Sequence, residues 1–259
     1  MSAGSDGKGG SVLQPQATFG MSVVIPAFNE EKLLPATLEA VRTAVGAWER
    51  RGWAHEVIVC DNNSSDRTAA IAREAGVRVV FEPVNQIGRA RNAGAAVAVG
   101  DWLVFLDADS RPTEALFDAV ADTVASGRVV AGGSIVKLDG GGPGLAVLTG
   151  VWNWTSRLFR WMAGSFIFVE RAAFVAVGGF NEALYAAEEI DLSRRLKPLA
   201  RRGGRRLAIL TEAPLLTSAR KASLYTPWEL ARFSLRGLLR PGATLRNREA
   251  CSPWYDGRR

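Results

Sequence analysis

The sequence predicts an α/β fold in which a mainly parallel sheet is flanked by helices, and three observations support this. From Met21 onward, short β-branched runs alternate with segments of helical period. Hydrophobic residues make up 47% of the 259 residues and charged residues 22%, enough to bury a full core. No apolar run reaches the roughly 20 residues that a membrane-spanning helix needs, so we expect no transmembrane segment.

The first half of the chain has the most regular pattern. Its predicted strands cover residues 22–26, 55–60, 77–81 and 101–106. A helix is expected after each strand, and the third of these is the Ala-rich segment 88–99. Asn29 is predicted to cap the first helix, Ser64 or Ser65 the second, and Thr113 the fourth.

The second half is less regular but still mixes strands and helices. Strands are predicted at 129–138, 165–169 and 206–210, and helices at 145–163, 171–177 and 187–200. Trp152, Trp154 and Trp161 give the segment 145–163 an aromatic face. This face is interpreted as core, with an acceptor platform as the alternative. Residues 226–239 predict a basic amphipathic helix.

Charge is distributed unevenly along the chain. Residues 1–191 contain 16 Lys and Arg against 22 Asp and Glu, whereas residues 192–259 contain 16 against 4. The net charges are therefore −6 and +12, which together give the overall +6. The basic part could attract an anionic lipid or a phosphorylated ligand, or it could be a solvated face. A nucleic-acid-binding role fits the acidic first part poorly.

Three carboxylates follow predicted parallel strands. Asp61 comes after the second strand, and Asp107 and Asp109 come after the fourth. In open α/β sheets, ligands bind outside the carboxyl ends of the strands. Two carboxylates two residues apart can present oxygen ligands to one Mg²⁺ or Mn²⁺ ion that also binds phosphate. Taken alone, the DAD tripeptide could equally be a set of turn residues.

Other classes that bind nucleotides on α/β folds lack their signatures here. The first strand runs into PAFN without a GxGxxG turn, which disfavours a nicotinamide-dependent dehydrogenase. No GxxxxGK[ST] sequence occurs, and the Gly-rich loop typical of nucleotidyl transferases is missing.

Several motifs occur in a fixed order at the predicted strand ends. They are Val24–Glu30 (VIPAFNE), Val59–Thr68 (VCDNNSSDRT), Gly88–Gly94 (GRARNAG), Phe105–Asp109 (FLDAD), Gly178–Glu182 (GGFNE) and Glu188–Leu192 (EEIDL). With these motifs the chain resembles a family 2 glycosyltransferase with the GT-A fold over residues 21–200. The resemblance implies a Rossmann-like sheet, a nucleoside-diphosphate sugar as donor, and transfer of the sugar to a hydroxyl acceptor.

The resemblance also implies a division of the chain. Residues 1–20 are expected to be a flexible tail, 21–215 the GT-A domain, and 216–259 a helical, basic C-terminal extension. Within the domain, residues about 21–110 would bind the nucleotide-sugar and residues about 111–215 the acceptor.

Donor-binding positions follow from the same motifs and from Thr217–Lys221 (TSARK), which looks like a segment of small bacterial members of the family. The residues implied to border the nucleotide-sugar are Pro26, Ala27, Phe28, Glu30, Asp61, Arg91, Asp107, Ala108 and Arg220. For Arg91 the alternative is a salt bridge on a helix surface. Asp109 would be the principal ligand of a divalent metal ion, Mn²⁺ or Mg²⁺, with Asp107 as a second ligand. The only histidine, His55, precedes the second strand and does not match a metal-ligand position of the family.

Transfer with inversion needs a carboxylate that takes the proton of the acceptor hydroxyl. In the family this base is usually the Asp of a Glu-Asp pair, whereas this chain has Glu188-Glu189. Glu189 aligns with the base, and Glu188 stays an alternative. Asp191 is expected to form an ion pair on its helix with Arg194 or Arg195.

Acceptor, location and an alternative function remain hypotheses. A lipid-linked acceptor and peripheral contact with the inner face of the cell membrane are suggested by residues 226–239. No secretory signal is visible, so a cytoplasmic location is expected. The alternative function is non-catalytic nucleotide-sugar binding by a degenerate glycosyltransferase fold.

Overall fold

An eight-stranded sheet forms the centre of the computed structural model, which describes residues 19–140, 142–219 and 244–251. The strands are β1 (Gly20–Ala27), β2 (Ala54–Asp61), β3 (Arg78–Phe81), β4 (Trp102–Leu106), β5 (Ser110–Arg111), β6 (Val129–Leu138), β7 (Phe166–Glu170) and β8 (Arg206–Thr217). Their order across the sheet is β3-β2-β1-β4-β7-β6-β8-β5. The predicted α/β class with a mainly parallel sheet is confirmed.

Helices connect most of the strands. They are α1 (Leu34–Ala44), α2 (Gly46–Glu49), α3 (Thr68–Glu74), α4 (Ile87–Val97), α5 (Glu114–Ala125), α6 (Pro143–Phe159), α7 (Arg171–Ala176) and α8 (Glu188–Arg202). Among the described residues, no helix is long and apolar enough to cross a membrane.

Strands β3, β2, β1 and β4 form a parallel unit. Their residues alternate between the two faces of the sheet. Val23 and Ile25 pack on one face in a cluster with residues of α1, α2 and α5, while Val24 packs on the other face with residues of α7 and α8. The first core includes the stacked rings of Trp48 and Phe117, whose centroids are 4.2 Å apart.

The second half of the sheet changes direction at β7. This strand runs antiparallel to both β4 and β6, and β6 then pairs with β8 in parallel. As a result, the start of β7 lies at the same edge as the carboxyl ends of β4 and β6.

Two of the three predicted helix caps are wrong. Leu33 precedes α1 without a side-chain cap, while Asn29 lies in a loop with a φ of 52°. Arg67 occupies the N-cap of α3, because the loop that contains Ser64 and Ser65 bonds to the β1 loop instead. The third cap is confirmed: the Thr113 hydroxyl accepts a hydrogen bond from the Leu116 amide.

The predicted core face of segment 145–163 is also wrong. Helix α6 ends at Phe159, where Arg160 takes a left-handed conformation. Ser156 is the one buried residue of α6, whereas Trp154 is 63% exposed. The Asn153 side chain bonds to Val136 of β6, whereas most of the large apolar side chains of α6 are exposed.

Parts of the predicted tail and C-terminal extension lie outside the described residues. This applies to Arg220, to the predicted helix at 226–239, and to nearly all of the tail at 1–20.

Helix α4 packs very closely on β1 at Gly94. A Cβ atom at this position would lie 2.4 Å from Cγ1 of the buried Val24. We predict that Gly94→Ala lowers the free energy of unfolding by about 1–3 kcal/mol, because the core cannot accept the added methyl without moving the helix. Urea-induced unfolding measures this change.

The matched control is Gly150→Ala in α6. A Cβ atom there meets nothing within 4 Å, and Ala is the better helix former, so this variant should be as stable as the wild type or more stable. Equal stability of the two Ala variants would contradict the proposed close contact.

Candidate active site

The site lies at the edge of the sheet where β1, β2 and β4 end. Ala27, the last residue of β1, pairs in register with Asp61, the last residue of β2. On the other side of β1, Val24 pairs with Phe105, two residues before Asp107. The three carboxylate-bearing strand ends therefore lie side by side, as the parallel topology requires.

The loop after β1 is fastened to the loop after β2. Pro26 and Ala27 are buried in the strand, while Phe28 and Asn29 are partly exposed beyond it. The Asn29 side-chain oxygen accepts a hydrogen bond from the Ser65 amide at 2.8 Å. The amide of the buried Glu30 donates to the Thr68 hydroxyl at 2.8 Å. These contacts set the shape of the surface implied to border the nucleoside.

Asp61 and Asn62 shape the same edge from β2. The buried Asp61 carboxylate accepts a hydrogen bond from the Ser64 amide at 3.1 Å. The Asn62 side chain donates to the carbonyls of Glu82 and Val84 and accepts from the Gln86 amide. Asn62 thus orders the segment between β3 and α4, a role that the motif VCDNNSSDRT did not reveal by itself.

The Asp107-Ala108-Asp109 turn is fixed by its backbone. The Thr37 hydroxyl donates to the Ala108 carbonyl at 2.7 Å, and the Asp107 amide donates to the Ser165 carbonyl at 3.2 Å. The Ser218 amide donates to the Asp109 carbonyl. Asp109 is 7% exposed. The turn therefore has a defined conformation before any ligand binds.

A divalent cation fits this turn only with help from other ligands. Asp107 and Asp109 supply hard carboxylate oxygens, which Mg²⁺ and Mn²⁺ prefer. One Asp107 oxygen already accepts a hydrogen bond from Arg91. Within the described ranges, no cluster of three or more Asp, Glu, His or Cys side chains could hold a metal ion. The donor set suits a cation whose remaining ligands are diphosphate oxygens and water.

Arg91 of α4 is the centre of a buried ion cluster. Its side chain is 1% exposed, and its guanidinium contacts Glu188 at 2.6 Å and Asp107 at 3.1 Å. It also donates to the Gly164 carbonyl at 2.7 Å and lies 5.2 Å from the centroid of the Phe180 ring. The alternative of a surface salt bridge is wrong, because this guanidinium is enclosed by protein groups that join the DAD turn to α8.

Asn92, the next residue, binds the Gly178-Gly179-Phe180 turn. Its side-chain oxygen accepts from the Phe180 amide and its nitrogen donates to the Phe180 carbonyl, both at 2.9 Å. Gly179 has a φ of 68°, and a Cβ atom there would lie 2.8 Å from the Asn92 oxygen. The RN pair of the GRARNAG motif therefore joins α4 to the segment that leads into α8, and Asn92 is a further residue missed from the sequence.

Glu188 and Glu189 point to different surroundings. Glu188 is 4% exposed and pairs with Arg91. Glu189 lines an open cavity of about 400 Å³. The other lining residues are Val136, Leu138, Leu148, Thr149, Trp152, Ala163, Gly164 and Ser165. Of the two glutamates, only Glu189 lines this cavity and can contact a molecule bound there.

The environment of Glu189 favours its protonated form. Burial among apolar groups and the nearby charge of Glu188 raise the pKa of Glu189 to about 8. The single positive charge of Arg91 faces three carboxylates, Glu188, Asp107 and Glu189, and so cannot neutralise all of them. The ionised form of such a carboxyl, a minor fraction near neutral pH, accepts a proton more readily than an ordinary carboxylate does.

The remaining predicted residues of this region have separate positions. Asp191 pairs with Arg195 at 2.7 Å across one helical turn, which confirms the expected ion pair. Trp152 lines the Glu189 cavity, whereas Trp161 stacks on Phe159 and lies beneath Arg194. The three tryptophans therefore do not form one platform.

Solved structures share this fold. One is a mannosyltransferase from Pyrobaculum calidifontis in complex with GDP-Man and Mn²⁺, with a TM-score of 0.66 at 19% identity over 85% of this chain and 62% of that one. Another is glucosyl-3-phosphoglycerate synthase from Mycobacterium tuberculosis with Mn²⁺, UDP and phosphoglyceric acid, with a TM-score of 0.61 at 21% identity over 87% and 78%. The fold is thus of the GT-A glycosyltransferase type.

The chain belongs to glycosyltransferase family 2. The family profile described as "Glycosyl transferase family 2" matches residues 22–168, more than half of the chain. A relative named 4,4'-diaponeurosporenoate glycosyltransferase, from Staphylococcus haemolyticus, is 39% identical over 101 residues, which are 36% of this chain and 25% of that protein. The chain therefore spans only part of the length of the curated relatives it matches.

Loss of Arg91 should destabilise the fold strongly. Arg91→Met leaves the buried Glu188 carboxylate without its partner, which should cost about 3–5 kcal/mol in the free energy of unfolding. Adding Glu188→Gln should restore part of that loss, because the unpaired charge is then removed. Urea unfolding of the two single variants and the double variant measures the coupling.

Arg67→Met is the matched control for this experiment. Arg67 pairs with Glu74 at 3.1 Å and both side chains are exposed, so its loss should cost about 1 kcal/mol or less. Equal costs for the two Arg substitutions would show that the buried cluster contributes no more than a surface pair.

Glu189 should make the stability of the fold fall as the pH rises. Between the ordinary value of 4.5 and about 8, the folded protein holds a proton on Glu189 that the unfolded chain has released. Glu189→Gln removes this dependence. The melting temperature of Glu189→Gln minus that of the wild type should therefore be larger at about pH 8.5 than at about pH 5. Each kcal/mol of difference in the free energy of unfolding corresponds to ~2–4 °C.

Calorimetry without added metal measures both melting temperatures at each pH. The control is Glu212→Gln, which changes an exposed residue of β8. Its melting temperature should differ from that of the wild type by the same amount at both pH values. A Glu189→Gln effect that is the same at both pH values would rule out a raised pKa.

Proposed function

We propose that this protein is a metal-dependent glycosyltransferase that moves a sugar from a UDP- or GDP-linked donor to an acceptor hydroxyl with inversion. The observation that carries the proposal is the arrangement at one sheet edge. There, the buried Arg91 joins the DAD turn to Glu188, the residue next to Glu189. The family membership and the ligands named with the structural neighbours, GDP-Man and UDP with Mn²⁺, agree with this reading.

The donor half of the site is proposed to lie over the ends of β1, β2 and β4. Phe28, Glu30 and Asp61 would border the nucleoside, with Pro26 and Ala27 supplying the strand end beneath it. Asp107 and Ala108 would contact the ribose and diphosphate, and Asp109 would be the principal metal ligand. Arg220, outside the described residues, stays a proposed diphosphate contact. When bound, Mn²⁺ or Mg²⁺ would neutralise charge on the departing nucleoside diphosphate.

Glu189 is the proposed base. As the acceptor oxygen attacks the anomeric carbon, the bond from that carbon to the diphosphate oxygen breaks and the nucleoside diphosphate leaves with the electron pair. The proton of the acceptor hydroxyl passes to the Glu189 carboxylate. Attack opposite the leaving group inverts the anomeric centre. Glu188 is proposed to hold Arg91, and Arg91 to position Asp107 relative to α8.

The acceptor half is proposed to include the cavity beside Glu189. Its lining is mostly apolar and includes Trp152, Leu148 and Ser165. Such a surface suits an acceptor with an apolar portion next to the reacting hydroxyl. A related protein is named undecaprenyl-phosphate 4-deoxy-4-formamido-L-arabinose transferase, so a lipid-linked acceptor stays within the proposal. The division near residue 110 and a cytoplasmic location stay predictions.

Donor binding tests the first half of the proposal. UDP-glucose, UDP-N-acetylglucosamine and GDP-mannose are titrated calorimetrically with and without Mn²⁺. One donor class should bind in a Mn²⁺-dependent manner, and Asp109→Asn should weaken that binding at least tenfold by removing the charged metal ligand. Glu189→Gln should bind the same donor within about threefold of wild type, because Glu189 lies on the acceptor side.

Release of nucleoside diphosphate, with water as the slow acceptor, tests the second half. Glu189→Gln should lower the rate about 10²–10⁴-fold, the usual contribution of a general base. Glu182→Gln, an exposed glutamate that pairs with Arg89, is the control and should retain the rate. Binding without any release in the wild type would favour the non-catalytic alternative, and binding of no donor would contradict the proposal.

A further inference from the structure

Helix α6 carries its large apolar residues on the outside of the protein. The α6 apolar face consists of Val147, Leu148, Val151, Trp154, Leu158 and Phe159, which are between 48% and 65% exposed. Most of these residues recur at intervals of three or four, so they form a stripe along one side of the helix. An amphipathic helix of a globular protein normally turns such a stripe toward the core.

Polar contacts explain how α6 is held with this face outward. The Asn153 side chain accepts from the Val136 amide at 3.0 Å and donates to the Val136 carbonyl at 2.9 Å. The buried Ser156 hydroxyl donates to the Trp161 carbonyl at 2.6 Å. The Asn153 bonds fasten this side of α6 to β6, and the Ser156 bond joins the helix to the segment that follows it.

A basic cluster adjoins the C-terminal end of this face. Arg157, Arg160, Lys197, Arg201, Arg205 and Arg206 line a cleft of about 480 Å³ beside Leu158 and Phe159. Lys197 donates to the Phe159 carbonyl, which joins the cluster to the helix. Arg205 of this cluster pairs with Glu170 at 2.8 Å, and no Asp or Glu occurs in the sequence between Asp139 and Glu170. Burial and the charges of Arg194 and Arg201 lower the pKa of Lys197, as expected where cations crowd together.

We propose that the α6 apolar face and the basic cluster dock this protein on the surface of an anionic lipid bilayer, with α6 lying in the interface. An exposed apolar stripe beside cations is the combination that interfacial helices use: the stripe enters the acyl boundary and the cations meet lipid phosphates. A second copy of the chain would also cover the apolar stripe but would not by itself use the basic cluster, and the test below distinguishes the two occupants.

Docking in this way would bring the Glu189 cavity to the membrane. Leu148 belongs both to the α6 apolar face and to the lining of that cavity. The cavity would then open beside the lipid surface. The docking itself does not depend on sugar transfer, and it is distinct from the membrane contact predicted from residues 226–239.

Vesicle co-sedimentation of the full chain tests the proposal. The wild type should bind vesicles of phosphatidylcholine and phosphatidylglycerol at low salt, and bind vesicles of phosphatidylcholine alone much less. Val151→Ser with Trp154→Ser should lower the partition coefficient at least tenfold by removing apolar area. Arg157→Gln with Arg201→Gln should lower it about tenfold or more on the anionic vesicles.

Val99→Ser with Val175→Ser is the matched control, since these side chains are 74% and 67% exposed away from α6. This pair should bind as the wild type does, and thermal melting verifies that every variant folds. Failure of the wild type to bind anionic vesicles would overturn the proposal. So would unchanged binding by the α6 variant, or light scattering that shows a dimer which Val151→Ser with Trp154→Ser dissociates.

Discussion

The buried guanidinium of Arg91 is the constraint on which the candidate active site depends. It comes from α4, yet its contacts are Asp107 after β4, Glu188 at the start of α8 and the Gly164 carbonyl before β7. A charge with 1% exposure needs acceptors around it, and here both terminal nitrogens of the guanidinium have them, whereas the buried Nε has none among the described residues. The segments that supply the acceptors therefore have to meet at one point. Asn92 reinforces this meeting by binding the Gly-Gly-Phe turn that leads to α8.

The same cluster accounts for the difference between the two neighbouring glutamates. Glu188 forms an ion pair with Arg91. Glu189, one residue later, lines a mostly apolar cavity and lies near the negative charge of Glu188. Burial and repulsion then favour the protonated form of Glu189. This chain has Glu189 where the family usually has Asp. The carboxyl group is therefore retained at the position of the base, and its raised pKa gives it a high proton affinity.

The sheet and most of its strand ends could be predicted from the sequence, because local patterns of apolar residues and the carboxylates that follow the strands indicate them. Features that depend on contacts between distant residues could not be predicted. Asn29 and Ser65 are good cap residues, but they bond to each other across 36 positions instead. The aromatic stripe of α6 has a core-like spacing, yet it is Asn153, on another side of the helix, that bonds to Val136 of the sheet. The partners of Arg91 lie 16 and 97 residues away, beyond any local pattern.

The most direct test of this account is the titration of the Glu189 carboxyl in the folded protein without metal. Carbon-13 NMR of glutamate-labelled protein, assigned by comparison with Glu189→Gln, follows this one group. A midpoint near 8 is expected, because burial and the like charge of Glu188 oppose ionisation of this carboxyl. A midpoint near 4.5, the value of an unperturbed glutamate, would contradict it. Glu189 would then be a solvated surface group, without the environment on which its proposed role rests.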